Sequence, residues 1–105
     1  MRVIWDSRAK EAQRQIAAYI LHQFGIKFEK NFRQKVDQTV CMLVNSPNIG
    51  GIDPLFADRP IAYRSIVING LSKMVYYIKD DTIRIVAFWD TRREPNAQVA
   101  KVECK

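Results

Sequence analysis

Basic, acidic and aromatic side chains are concentrated at the end of the last strongly apolar run of this sequence. The stretch FWDTRREP, residues 88 to 95, places Asp90, Arg92 and Arg93 directly after an aromatic pair. Guanidinium groups form paired hydrogen bonds with phosphates and carboxylates. We therefore expect an anionic ligand at this segment, which could be a nucleic acid or an acidic protein.

The segments that must position these side chains have the period of two that is typical of strands. AYRSIVI (62–68), KMVYYIK (73–79) and TIRIVAFWD (82–90) are rich in β-branched and aromatic residues, and Asn69-Gly70 and Asp80-Asp81 separate them as turn sequences. The pattern predicts a three-strand antiparallel meander.

The predicted pairing indicates which side chains share a face of this meander. If Asp80-Asp81 is a two-residue loop, Tyr77 opposes Arg84 and Lys73 opposes Phe88. Alternation then gives an apolar core face made of Met74, Tyr76, Ile78, Ile83, Ile85, Ala87 and Trp89. The opposite face carries Lys73, Val75, Tyr77, Lys79, Arg84, Val86, Phe88 and Asp90.

A cationic surface is predicted on that opposite face. Arg64 joins it whether the first hairpin loop has two residues or four. The expected surface consists of Arg64, Lys73, Tyr77, Arg84 and Phe88, bordered by Arg92 and Arg93. Cations interleaved with rings suit RNA, because the cations meet phosphates and the rings stack on unpaired bases. A solvated sheet face carries charged residues in any case, so the pattern alone leaves that simpler explanation open.

Helical periods fill the N-terminal half. A short strand, RVIW (2–5), precedes candidate caps at Asp6 and Ser7, and Gly25 separates two amphipathic patterns. The apolar positions of the first pattern are Ala9, Ala12, Ile16, Ile20 and Phe24, and those of the second are Phe28, Phe32, Val36, Val40 and Leu43. We expect these side chains and Trp5 to lie in the core. The prediction is an α+β domain: a short strand, an antiparallel helix hairpin, a long connection over residues 45–60 and the meander completing a mostly antiparallel sheet.

Length and composition bound the class of protein. The 105 residues suit a single domain, with residues 95–105 left unassigned. The net charge of +6 favours a polyanion or an acidic partner, and each half of the chain carries +3. Cys41, Cys104 and the lone His22 have no metal-ligand spacing, so we expect free thiols, no metal and no cofactor. No segment has the length of a signal peptide or membrane span, which predicts a cytoplasmic protein.

The order of these segments resembles the RelE/ParE superfamily of bacterial type II toxins over roughly residues 3–95. The pieces that carry the resemblance are A..QI..YI...FG in the first helix, the P..GG loop, the strand KMVYYI and the ending WDTRREP, which is similar to HxRRDP in ParE-like members. The resemblance implies a toxin, of the kind associated with plasmid stabilization, that a cognate antitoxin neutralises with an amphipathic segment. RelE-like members cleave mRNA in the ribosome, whereas ParE-like members poison DNA gyrase and are not nucleases.

The resemblance to RelE implies catalytic roles for several positions. Arg64, Lys73 and Arg92 or Arg93 match basic positions that would stabilise charge on the phosphorane during 2′-hydroxyl attack. Tyr77, Asp90 and Glu94 are the neighbouring candidates for a proton acceptor, and Arg84 and Phe88 would bind RNA or a partner.

Two departures leave the target open. Ile66 occupies a RelE lysine position, and the tyrosine that follows the Arg motif in RelE-like enzymes is absent after Pro95. The hypotheses are therefore an mRNA interferase, placed first because of the cationic face, and a gyrase inhibitor without catalysis, with an inactive member as the third.

Overall fold

Two helices pack against one face of a five-stranded sheet in the computed structural model, which describes residues 1–68 and 72–90. The elements are β1 (Arg2–Trp5), α1 (Ser7–Phe24), α2 (Ile26–Asn45), β2 (Gly51–Ile52), a 3₁₀ turn (Pro54–Phe56), β3 (Arg64–Ile68), β4 (Ser72–Lys79) and β5 (Thr82–Asp90). The strand order is β1-β5-β4-β3-β2, in which β1 runs parallel to β5 and the other neighbours are antiparallel. The predicted α+β fold is confirmed, and among the elements in the described residues the two-residue strand β2 was not anticipated.

The helix hairpin begins and turns at the expected residues. The Asp6 carboxylate accepts a hydrogen bond from the Arg8 backbone N–H at 2.9 Å and so caps α1. Gly25 ends α1 and precedes α2 with φ of 95°, a left-handed conformation that glycine adopts without a Cβ clash. The hairpin therefore turns within a single residue.

The core on the helix side contains most of the predicted helix positions. Trp5 packs against it, but the expectation that Phe24 and Phe28 also lie in the core is wrong, since both are exposed. Contacts with the core end at Ile20 on α1 and resume at Phe32 on α2, so the turn of the hairpin lies beyond them. The buried members are Ala9, Phe32, Val36, Leu43, Ile68, Met74, Tyr76, Ile83, Ile85 and Phe88.

A β-bulge changes the faces of the β4–β5 hairpin. Asp80 and Asp81 both have positive φ, 52° and 57°, as a two-residue hairpin turn requires, and Tyr77 pairs with Arg84 as predicted. The register then shifts between Val75 and Tyr76. Since Tyr76 pairs with Ile85 and Val75 with Ala87, Val86 is an extra residue in β5 and every later side chain changes face. Lys73 accordingly pairs with Trp89, so the predicted Lys73–Phe88 pair is wrong.

The register of β3 with β4 changes the face of Arg64. Ile68 pairs with Ser72, which leaves three residues between the strands, whereas loops of two or four were considered. An odd number reverses the parity, so Arg64 pairs with Tyr76 and lies on the helix side of the sheet. The prediction that Arg64 shares a face with Lys73 and Tyr77 is wrong for this reason. The predicted turn Asn69-Gly70 lies outside the described residues.

The face away from the helices is also covered. Residues 53–63, which we call the strap, pack on it through a second apolar cluster. Its buried members are Phe56, Tyr63, Val75, Tyr77, Ala87 and Trp89. The expectation of one solvated sheet face is therefore wrong, and Trp89, predicted for the helix side, lies under the strap. Neither helix, within the described residues, combines the length and hydropathy that crossing a bilayer would need.

Candidate functional site

Lys73 forms an ion pair with the buried Asp53 carboxylate beneath the strap. Its Nζ lies 2.8 Å from Asp53 Oδ2, and the side chains of Lys73 and Asp53 are only 13% and 2% exposed. Asp53 Oδ1 accepts a hydrogen bond from the Leu55 backbone N–H at 2.9 Å and caps the 3₁₀ turn. Oδ2 accepts no hydrogen bond from another described residue, so the ammonium is its charge partner. Lys73 thus fastens the strap to β4, and its charge is neutralised inside the protein.

Tyr77 is held in the same layer. Its side chain is 7% exposed, and its ring meets the Tyr63 ring edge-on, with centroids 5.6 Å apart and an interplanar angle of 79°. Tyr63 in turn contacts the Phe56 ring at 5.4 Å. The stack therefore covers the Tyr77 ring on the face of the sheet away from the helices.

Arg64 supports the connection that follows α2. One guanidinium nitrogen donates to the Gly50 carbonyl at 2.7 Å and to the Asn48 carbonyl at 3.4 Å. Beside it, the Tyr76 hydroxyl donates to the Pro47 carbonyl at 2.8 Å and accepts from the Gly50 N–H at 3.0 Å. Burial raises the pKa of Tyr76 above its ordinary value, while the Gly50 hydrogen bond and the Arg64 charge partly offset that rise. Arg64 and Tyr76 therefore organise the P..GG loop.

Arg84 and Phe88 occupy very different places. Arg84 is exposed and pairs with Tyr77 on one side and with Ile4 of β1 on the other. Phe88 is only 1% exposed and packs against Trp5 and Phe32, with ring centroids 6.3 and 5.9 Å away. The prediction that Phe88 borders an RNA-binding face is wrong, because the β-bulge turns it into the core.

Three predicted site residues belong to the C-terminal end of the sequence. Asp90 is the last residue of β5 and its backbone pairs with Ser72, but its side chain lies outside the described residues. Arg92 and Arg93 also lie outside them. Their predicted roles stay predictions.

The described residues do not assemble the predicted cationic surface. Lys73 and Arg64 lie on opposite faces of the sheet, Tyr77 is covered, and Arg84 alone of the described cations in that set is exposed. Within the described part of the chain, no group of three or more His, Cys, Asp and Glu side chains could hold a metal ion.

The helix hairpin carries most of the net charge instead. Residues 7–45 contain seven basic and three acidic residues, a net charge of +4 out of +6 for the whole chain. The two halves of the sequence carry equal charges of +3, which conceals this concentration of charge. The charge of each predicted element would have revealed it. An open groove between α1 and α2 is lined by apolar residues that include Ala17, Leu21 and Val40. Its charged lining is balanced, with three basic and three acidic side chains: Lys10, Arg14, Arg33, Glu11, Glu29 and Asp37.

The arrangement of helices and strands defines the fold class of the protein. A helix hairpin on a sheet of order β1-β5-β4-β3-β2 is an α+β fold shared with a solved structure described as "Chromosomal ParDE TA system from P. aeruginosa". The two chains superpose with a TM-score of 0.69 at 18% identity, over 86% of this chain and 95% of that one.

The family follows from the sequence match. The model of the family described as "ParE toxin of type II toxin-antitoxin system, parDE" matches residues 3–95. The chain belongs to this family and is a toxin of the type II toxin-antitoxin class. No curated protein matches the chain significantly. The resemblance to the RelE/ParE superfamily is thereby confirmed and narrowed to its ParE branch.

Proposed function

We propose that the protein arrests growth by inhibiting DNA gyrase and does not cleave RNA. The observation that carries this proposal is the ion pair between Lys73 and Asp53, at 2.8 Å beneath the strap. An ammonium that is 13% exposed and already neutralised by a buried carboxylate has no free charge with which to bind a phosphate.

The remaining residues of the predicted ribonuclease site support the same proposal. Cleavage by 2′-hydroxyl attack needs cations at the phosphorane oxygens and a proton acceptor within hydrogen-bond reach. Arg64 lies on the other face of the sheet and donates to the Gly50 carbonyl, and Tyr77 is buried against Tyr63. The residue pattern placed ribosome-dependent mRNA cleavage first. Of the described cations predicted for that site, only Arg84 is exposed.

A cognate antitoxin is the proposed regulatory partner. The solved relative belongs to a ParDE toxin-antitoxin system, and the groove between α1 and α2 combines apolar residues with three basic and three acidic side chains, which suits an amphipathic segment of mixed charge. The toxin would be inactive in that complex and would act on gyrase in the cytoplasm once released.

Pulse labelling after tightly controlled expression tests the target. We expect DNA synthesis to fail first and double-strand breaks to appear, while incorporation of labelled amino acids continues at early times. With purified gyrase, the toxin should inhibit supercoiling of relaxed plasmid or trap cleaved DNA. Rapid loss of protein synthesis, with mRNA cut inside ribosomes and intact DNA, would contradict the proposal.

A further inference from the structure

The turn of the helix hairpin exposes an apolar cluster that contributes nothing to the core. Phe24, Ile26 and Phe28 are 60%, 61% and 58% exposed, and the two phenylalanine rings contact each other with centroids 6.0 Å apart. Gly25 forms the turn between them, with φ of 95°. We call residues 24–28 the hairpin tip.

An exposed cluster of this kind is typical of a protein-binding surface. Large apolar side chains that lie together outside the core mark interaction sites more often than chance, and aromatic residues carry much of the affinity in protein interfaces. The tip presents two rings and an isoleucine on a fixed turn between two helices, so little conformational freedom would be lost on binding.

The charge around the tip defines the chemistry of the partner. Lys27 lies within the tip and Lys30 follows it, both exposed, and the one acidic neighbour, Glu29, forms an ion pair with Arg33 at 2.8 Å. The helix hairpin as a whole carries +4. A partner that complements the tip therefore offers an apolar hollow with carboxylates at its rim.

The same charges disfavour other occupants. In a symmetric dimer through the tip, Lys27 and Lys30 would approach the same lysines of the second copy. The C-terminal residues 91–105 contain four basic and two acidic residues, so they do not complement the tip either. Duplex nucleic acid would suit the lysines, but its bases are stacked inside the helix, so the apolar cluster would have no matching surface.

We propose that the hairpin tip is the surface through which the toxin contacts gyrase, by inserting Phe24 and Phe28 into an acidic, apolar hollow of that enzyme. The inference rests on the proposed function and extends it to a defined patch. The tip is separate from the strap and from the ion pair between Lys73 and Asp53, so substitutions there test binding without disturbing that pair.

The experiment compares full-length toxins released from their antitoxin complexes. Phe24→Ser with Phe28→Ser removes the rings, and Met42→Ser removes an exposed apolar residue elsewhere on α2 as the matched control. We expect the tip variant to inhibit gyrase supercoiling at least about tenfold less than wild type, and the control to equal wild type. A second variant, Lys27→Glu with Lys30→Glu, should also weaken inhibition, and wild-type inhibition should fall as salt rises. Affinity for the antitoxin is measured in parallel.

Each alternative has its own outcome. If wild type inhibits gyrase and the tip variant inhibits equally, the inference fails and the proposed function stands. If wild type does not inhibit gyrase, both fail. Loss of antitoxin affinity with unchanged gyrase inhibition would assign the tip to the antitoxin and overturn the inference.

Three further measurements test whether something other than gyrase covers the tip. A wild-type dimer that the tip substitutions convert to a monomer would assign the tip to a second copy. Binding to duplex DNA alone that the tip variant loses would assign it to nucleic acid. A thermal midpoint for the tip variant as low as that of Phe32→Ser, a core substitution, would show that the tip is covered by its own chain. Any of these results would overturn the inference.

Discussion

Replacing Lys73 by methionine tests whether this lysine is structural or catalytic. Lys73→Met keeps an unbranched side chain of similar size and leaves the Asp53 carboxylate, 2% exposed, without its counter-ion. Breaking a buried ion pair from one side costs about 3–5 kcal/mol. For 105 residues the unfolding entropy is about 0.22 kcal/mol/K, so the thermal midpoint should fall by about 14–23 °C.

A double-mutant cycle isolates the ion pair from the rest of the strap. Asp53→Asn retains an oxygen that can accept the Leu55 N–H and so keeps the cap of the 3₁₀ turn. Its cost should be smaller than that of Lys73→Met, because the remaining ammonium is 13% exposed and can turn toward water. The double variant should recover part of the loss, with a coupling energy of about 2 kcal/mol in urea unfolding.

Toxicity of the double variant separates the two roles of Lys73. If its charge serves only to hold the strap, the Asp53→Asn/Lys73→Met toxin should still arrest growth when it is folded. A Lys73→Met protein within about 0.5 kcal/mol of wild type would refute the structural argument, since surface substitutions have effects of that size. A folded but harmless double variant would instead assign Lys73 to the target site.

Three further predictions concern the loop after α2 and the C-terminal arginines. Tyr76→Phe should cost about 1–3 kcal/mol, since it leaves buried backbone groups without partners. Burial raises the pKa of Tyr76 above that of the unfolded chain, so the contribution of its neutral hydroxyl to stability is fully present below about pH 10 and is lost as the pH rises through the folded pKa. Urea midpoints measured across that range should therefore fall less for Tyr76→Phe than for wild type. Gly50→Ala should cost about 1–3 kcal/mol, because a Cβ there would lie 2.6 Å from the Tyr76 hydroxyl and 2.9 Å from a backbone oxygen. Gly51→Ala is the matched control, since a Cβ at Gly51 meets open space. Equal thermal midpoints for the two variants would contradict this prediction. Arg92→Ala with Arg93→Ala should relieve growth arrest with an unchanged thermal midpoint, and full toxicity would remove these arginines from the site.

The amino-acid sequence alone determined the elements of this protein. The period of apolar residues, the Asp6 cap, the single glycine between the helices and the Asp80-Asp81 turn are local features, and each local conformation follows from short-range sterics and hydrogen bonds. The order of those elements, with the motifs WDTRREP and P..GG, was also enough to indicate the toxin superfamily.

The candidate site could not be read in the same way, because side-chain parity depends on counting every residue between paired strands. One extra residue, Val86, moved Phe88 into the core, and an odd number of residues between Ile68 and Ser72 moved Arg64 to the helix side. A register change of one residue reverses every face beyond it, and no local pattern in the strands announces it.

Tertiary structure also decided what lies above the sheet. The strap brings Asp53 to Lys73 across twenty residues of sequence, and the resulting ion pair converts an apparent catalytic cation into an internal support. The exposure of Phe24 and Phe28 is also a result of packing, because the helices contact the sheet over a limited length and the amphipathic pattern continues past the last contact. The sequence thus determined the kind of protein through local interactions, whereas long-range packing decided which of its side chains reach a partner.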